Sequence, residues 1–151
     1  MLKDSDRRLL RHLQADPAIP MAELGELCAT SAGAVARRLD KLAAQGVLRG
    51  QHAIIDWTAL GYSVEVSLRV TLDKTSARAF DEFLDQARTI QEVIELQTFL
   101  GRVDVRLSVI ARDMSHYQHI YRTKILTLPH ISDIEALMHV ATIKTAQALP
   151  L

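Results

Sequence analysis

From Tyr62 to Leu72 the chain alternates without a break. Tyr62, Val64, Val66, Leu68, Val70 and Leu72 are separated by Ser63, Glu65, Ser67, Arg69 and Thr71. A period of two over that length specifies a strand with one buried face. The residues downstream of this strand fix the architecture around it. Asp73-Lys74-Thr75-Ser76 reads as a turn, and a helix is expected from Ala77 to Arg88, with Phe80, Leu84 and Ala87 inward. A second strand runs from Val93 to Leu100, and Gly101-Arg102-Val103 turns into a third carrying Val103, Val105, Leu107 and Val109. Asp113 can cap a second helix, which Pro129 stops, and Ile131–Lys144 reads as a long last strand. The order strand-helix-strand-strand-helix-strand is the ferredoxin-like βαββαβ arrangement. Two helices cover one face of such a sheet. The last strand has apolar residues at both parities, with Ile134, Ala136, Met138 and Val140 against Leu137, Ala141 and Ile143. The reading is an open face with apolar content, covered by a second copy of the chain.

Before Tyr62 the period is helical. Asp4 is placed to cap a first helix carrying Leu9, Leu10 and Leu13, which Asp16-Pro17 ends. Pro20 can start a second, from Met21 to about Ala29. The third runs from Ser31, a good N-cap, to Gly46, which suits the left-handed position past the last turn. Val35, Leu39 and Leu42 make its inward stripe; Ala34, Arg37, Arg38 and Lys41 are assigned to the opposite face. Three short helices, the last two joined by the tight connection Ala29-Thr30-Ser31, form a helix-turn-helix. Val47–Asp56 reads as a strand-like wing and tether, with Arg49 within reach of a phosphate.

The fold class is therefore α+β: an N-terminal winged helix-turn-helix domain and a C-terminal ferredoxin-like domain. The boundaries expected are 1–50 for the first, 51–61 for a hinge strand or linker, and 62–151 for the second, an oligomerisation domain. The chain has 18 Lys plus Arg and 18 Asp plus Glu, so an indiscriminate nucleic-acid coat is excluded. Residues 1–50 hold eight cations and six anions, a small bias towards a DNA-facing first half. Cys28 is the single cysteine, which excludes a disulfide framework and a cysteine zinc site. It reads as a small core residue. No apolar run is long enough to span a membrane, and a cytoplasmic protein is expected. No catalytic constellation is legible. His116 and His119 lie one helical turn apart, but no third ligand stands beside them, so neither a metal nor a cofactor is expected.

The ordered set of motifs resembles the Lrp/AsnC family of bacterial and archaeal transcription regulators over essentially the whole chain. The motifs are Leu2-Lys3-Asp4-Ser5-Asp6 with Leu9-Leu10 and Leu13-Gln14; Glu23-Leu24; Ser31 through Arg37-Arg38-Leu39 to Leu42 and Gly46-Val47-Leu48; Leu60-Gly61; Gly101-Arg102-Val103-Asp104; Leu128-Pro129; and Ala148-Leu149-Pro150-Leu151. The resemblance implies binding to double-stranded DNA through Ser31, Ala34, Arg37, Arg38, Lys41 and Arg49. It also implies a homodimer, commonly assembled to an octamer. An amino-acid effector would be held at Gly101, Arg102, Val103 and Asp104, with Ala136 and Leu137 of the last strand. Asp104 would meet the ligand's ammonium, and loop N–H groups its carboxylate. The chain departs from the family pattern at Gly33-Ala34, where Ser-Pro is usual, and at Pro20, Asp40, His130, Ala136 and Leu137. The second half alone would also allow a stand-alone amino-acid sensor acting by protein contact; Arg37, Arg38 and Lys41 favour the DNA-binding reading.

Overall fold

The computed structural model describes residues 2–144 and 148–151. The chain divides into two compact units, Met1–Ile54 with Lys144–Leu151, and Ile55–Ile143. The expected division gave the whole chain end to the second domain. The structure groups it with the first, because side chains of the first helix bond to the backbone of Leu149 and Leu151.

In the first unit, α1 spans Asp4–Ala15, α2 Met21–Leu27 and α3 Ala32–Ala44. Leu9, Leu13, Ile19, Leu24, Val35 and Leu42 form the core, with Leu2, Leu10, Cys28, Leu39 and Leu48 packed against it. Asp4 is the first helical residue rather than the cap. Lys3 takes the cap position, and its N–H donates to the Asp6 carboxylate at 2.8 Å. Gly46 has φ +70°, so the left-handed stop of α3 is as the sequence reads. The chain from Val47 to Asp56 forms no strand, so the expected wing is absent as a β-element. Its first N–H groups, those of Val47 and Leu48, go back to the Leu42 carbonyl at 2.9 and 3.2 Å, which closes the helix end instead of opening a ladder.

The second unit begins with a single 3₁₀ turn, Thr58–Leu60. Then come β1 (Val64–Leu72), α4 (Ala79–Ala87), β2 (Val93–Thr98), β3 (Val105–Ala111), α5 (Met114–Ile120) and β4 (Ile131–Met138). The sheet is antiparallel in the order β2-β3-β1-β4. One face carries Val64, Val66, Leu68, Val70, Leu72, Val105, Leu107 and Val109, buried under Phe83 and Ala87 of α4 and Tyr117 and Ile120 of α5. After α5 the helix widens. Leu126 N–H bonds to the Tyr121 carbonyl five residues back, at 2.9 Å, and this π turn places Ile125 in the core. The last strand stops at Met138, short of the expected Lys144. Its ladder partner β1 begins at Val64, and Met138 already faces Val66, so little partner remains beyond it. One further bond, His139 N–H to Glu65, ends the pairing.

The open face of the sheet is mostly polar, and its apolar content is Leu137 and Ile110, opposite Ser67 and Glu65. Ile134, Ala136 and Met138 lie opposite Val70, Leu68 and Val66, on the helix-covered side. The other side carries Glu65, Ser67, Arg69, Glu95, Gln97, Arg106, Ser108 and Glu135. Arg106 donates to Ser67 (3.1 Å), Gln97 (3.1 Å) and Glu95 (3.0 Å), tying three strands together. Ser108 donates to Glu65 at 2.8 Å.

Candidate nucleic-acid interface and effector loop

The geometry of α3 is set by how closely α2 approaches it. A Cβ added at Gly25 would stand 2.8 Å from the Thr30 carbonyl oxygen, so only glycine fits there. Thr30 N–H donates to Gly25 O at 2.8 Å, and Ala29 turns the chain with φ +53°. Ser31 then caps α3, its Oγ accepting from Ala34 N–H at 3.2 Å. Val35 and Leu42 anchor the inner side.

On the outer side, Arg37 and Lys41 are exposed and one turn apart, with Asp40 beside them. Gly33 leaves room in front of Arg37: the nearest atom to a Cβ there would be Arg37 Nη1, at 3.6 Å. Ala34 is half-buried, Ser31 is exposed, and Arg49 is exposed in the ladderless chain after α3. The second arginine of the pair behaves differently. Arg38 donates from Nε and Nη2 to the two oxygens of Asp6, a two-pronged ion pair. Asp6 is 1% exposed. Hydrogen bonding to the Arg38 guanidinium outweighs the cost of burial and holds the Asp6 carboxyl below the usual carboxylate range. Arg38 therefore braces α3 against α1, while Arg37 and Lys41 face solvent. The signal that identifies Asp6 is in the sequence. Asp6, Leu9, Leu10 and Leu13 share one helical stripe, and a carboxylate on an apolar stripe needs a buried cation.

In the second unit the Gly101–Asp104 hairpin joins β2 to β3. Gly101 and Arg102 are exposed and Val103 is half-buried. Thr71 Oγ1 donates to the Arg102 carbonyl at 3.1 Å. Asp104 is 3% exposed and already partnered on both oxygens. Oδ2 accepts from Leu72 N–H at 2.9 Å and Oδ1 meets Lys74 Nζ at 2.8 Å. Burial pushes its carboxyl up, but the Lys74 ammonium and the Leu72 N–H outweigh this and hold it below the usual range. Sequence reasoning assigned Asp104 to an incoming ammonium and missed Lys74, which supplies one from the neighbouring turn. The same end of the sheet holds His130, at φ +62°, whose carbonyl accepts from Asp73 N–H at 2.7 Å and whose Nε2 lies 2.6 Å from Glu82. Ala136 and Leu137 are not gathered there. They lie opposite Leu68 and Ser67 on the edge strand β4, which β1 separates from β3, and they point to opposite faces of the sheet.

A capped helix-turn-helix with free cations on its outer side, together with a βαββαβ unit, defines a DNA-binding regulator with a separate ligand-type domain. Comparison with known proteins agrees. Residues 2–43 match the AsnC-type helix-turn-helix domain and residues 65–149 the Lrp/AsnC ligand binding domain. The chain is 30% identical over 150 residues to the glutamate uptake regulatory protein of Zymomonas mobilis, covering 99% of this chain and 91% of that one. An AsnC family transcriptional regulator from Agrobacterium tumefaciens superposes with a TM-score of 0.88 at 27% identity, covering 99% of this chain and 97% of that one. A regulator from Neisseria meningitidis, solved in complex with L-methionine, shares the fold with a TM-score of 0.89 at 24% identity over 99% of this chain and 97% of that one. The chain belongs to the Lrp/AsnC family and is a transcription regulator, not an enzyme. Among the described residues no helix is long and apolar enough to cross a membrane.

Proposed function

We propose that this regulator binds operator DNA as a homo-oligomer in the cytoplasm, with α3 entering the major groove and an amino-acid effector setting its assembly. The observation that carries the reading is the pair of exposed cations, Arg37 and Lys41, on the outer side of a helix whose inner side is locked. Ala34 and Ser31 let the helix start approach the backbone closely, and Arg49 reaches a flanking phosphate. Arg38 positions the helix rather than the DNA. Exposed apolar side chains at the sheet edges and beyond β4, Ile94, Phe99, Met138, Val140 and Ile143, supply surface for a dimer and a higher assembly such as an octamer.

The effector site is proposed at Gly101, Arg102, Val103 and Asp104 of one copy, completed by Ala136 and Leu137 of another. One chain keeps these two groups apart, so a shared pocket needs two copies. Loop N–H groups near Gly101 and Arg102 would meet the ligand carboxylate. The ligand ammonium would take the place of Lys74 on Asp104. Lys74 is 63% exposed at its side chain and returns to water at little cost. Ala136 and Leu137 favour an apolar side chain on the ligand, and methionine in the Neisseria relative is of that kind. The test is footprinting of the region around the protein's own gene, with and without each of the twenty amino acids. Protection in blocks about 10 base pairs apart is expected, changed by an apolar amino acid. Absence of any protected block contradicts the DNA reading; blocks that no amino acid alters contradict the effector reading.

A further inference from the structure

The first helix holds a piece of the chain's own end. Gln14 bonds to Leu149 in both directions: its Nε2 donates to the Leu149 carbonyl at 2.8 Å, and its Oε1 accepts from the Leu149 N–H at 3.0 Å. One turn earlier on the same side of α1, Arg11 Nε donates to the backbone oxygen of Leu151 at 2.9 Å. A carboxamide that pairs with both the N–H and the C=O of one residue does what a neighbouring strand does. It recognises extended backbone, whatever the side chain. Pro150 suits the seat twice over. It has no N–H to satisfy, and it keeps Leu149 out of the helical region before any contact forms.

The seat is part of the unit that reads DNA, while residues Ile55–Ile143 form the other unit. The chain leaves the DNA-reading unit through Gln51–Asp56 and comes back to it after Ile143. The two units are therefore joined by two runs of chain, and the second run carries the docked segment.

We propose that the Arg11–Gln14 side of α1 is a docking surface for the chain's own Leu149–Leu151, and that this segment is a detachable strap limiting how far the helix-turn-helix unit can reach. The bonds are few and exposed. They hold because the covalent tether keeps the segment at high local concentration, and so they can open and close. The part of the proposal that concerns reach rests on the DNA-binding reading; the part that concerns the seat does not.

The experiment is disulfide trapping in the full-length protein with Cys28→Ser. Arg11→Cys is combined with Leu151→Cys, which leaves both Gln14 bonds to Leu149 in place, and Ser5→Cys with Leu151→Cys serves as control on another side of α1. The seated pair should close about tenfold or more faster than the control, as an intrachain bond. Equal rates, or a bond formed only between chains, overturn the seat. Operators whose half-site separation is altered by about half a helical turn then test the reach. The reduced protein should tolerate the change and the trapped protein should lose at least about tenfold in affinity. Identical tolerance in both forms overturns the strap. If neither form binds any operator, the DNA reading falls while the trapping rates still decide the seat.

Discussion

The two units each bury one aspartate against one cation, and the two pairs work in opposite senses. In the helix-turn-helix unit, Asp6 draws Arg38 out of the set of DNA-facing cations. In the βαββαβ unit, Lys74 draws Asp104 out of the set of ligand-facing anions. The first pair is two-pronged, and its cation has only 30% of its side chain exposed. The second is a single contact to a lysine that is 63% exposed. A charged residue within a family motif is thus not a free charge until its partners within the chain are counted. The better-buried pair braces α3 against α1, and the looser one is the pair that the proposed effector would open.

The largest expected effect separates the pairs by stability. Asp6→Ala strands the Arg38 guanidinium and removes the acceptor of the Lys3 N–H. It should cost about 2–3 kcal/mol, less than full breakage of a deeply buried pair because Arg38 still reaches water. Asp104→Ala leaves the Leu72 N–H without a partner but lets Lys74 turn to solvent, and should cost about 1–2 kcal/mol. Urea unfolding of both variants measures this, and the reverse order would break the comparison.

A smaller effect appears in the pH dependence. Both carboxyls are held below their ordinary value in the folded chain. Each therefore contributes stability that is fully present above the unfolded carboxylate pKa and is lost as pH falls through the folded one. Urea midpoints should be flat near neutrality and fall below about pH 4. Asp6→Asn should flatten part of that acid limb, and an unchanged limb would count against the pairing.

What the sequence makes legible is what local rules control. Ser31 and Gly46 mark the ends of α3 because capping is decided within one turn. The alternation of Tyr62–Leu72 marks β1 because a strand face repeats every second residue, and the element order then leaves few topologies. What it hides depends on partners far along the chain. Arg38 looks like Arg37 until Asp6, 32 positions away, is folded beside it. The end of β4 is hidden because β-branched residues beyond Met138 suit a strand, while β1 has little chain left to pair with them. The facing of β4 is hidden because only its register with β1 puts Ile134, Ala136 and Met138 on the helix side and Leu137 on the other. The missing wing has the same cause. Val47–Asp56 has strand-like composition but forms no ladder.

The most direct test compares the two adjacent arginines of α3 by operator affinity across a series of salt concentrations, with thermal unfolding of each variant. Arg37→Ala should flatten the slope of log affinity against log salt by about one and leave the melting temperature unchanged. Arg38→Ala should lower the melting temperature and leave the slope unchanged. A flattened slope with unchanged stability for Arg38→Ala would contradict the account, because Arg38 would then be a DNA contact and not the brace that Asp6 holds.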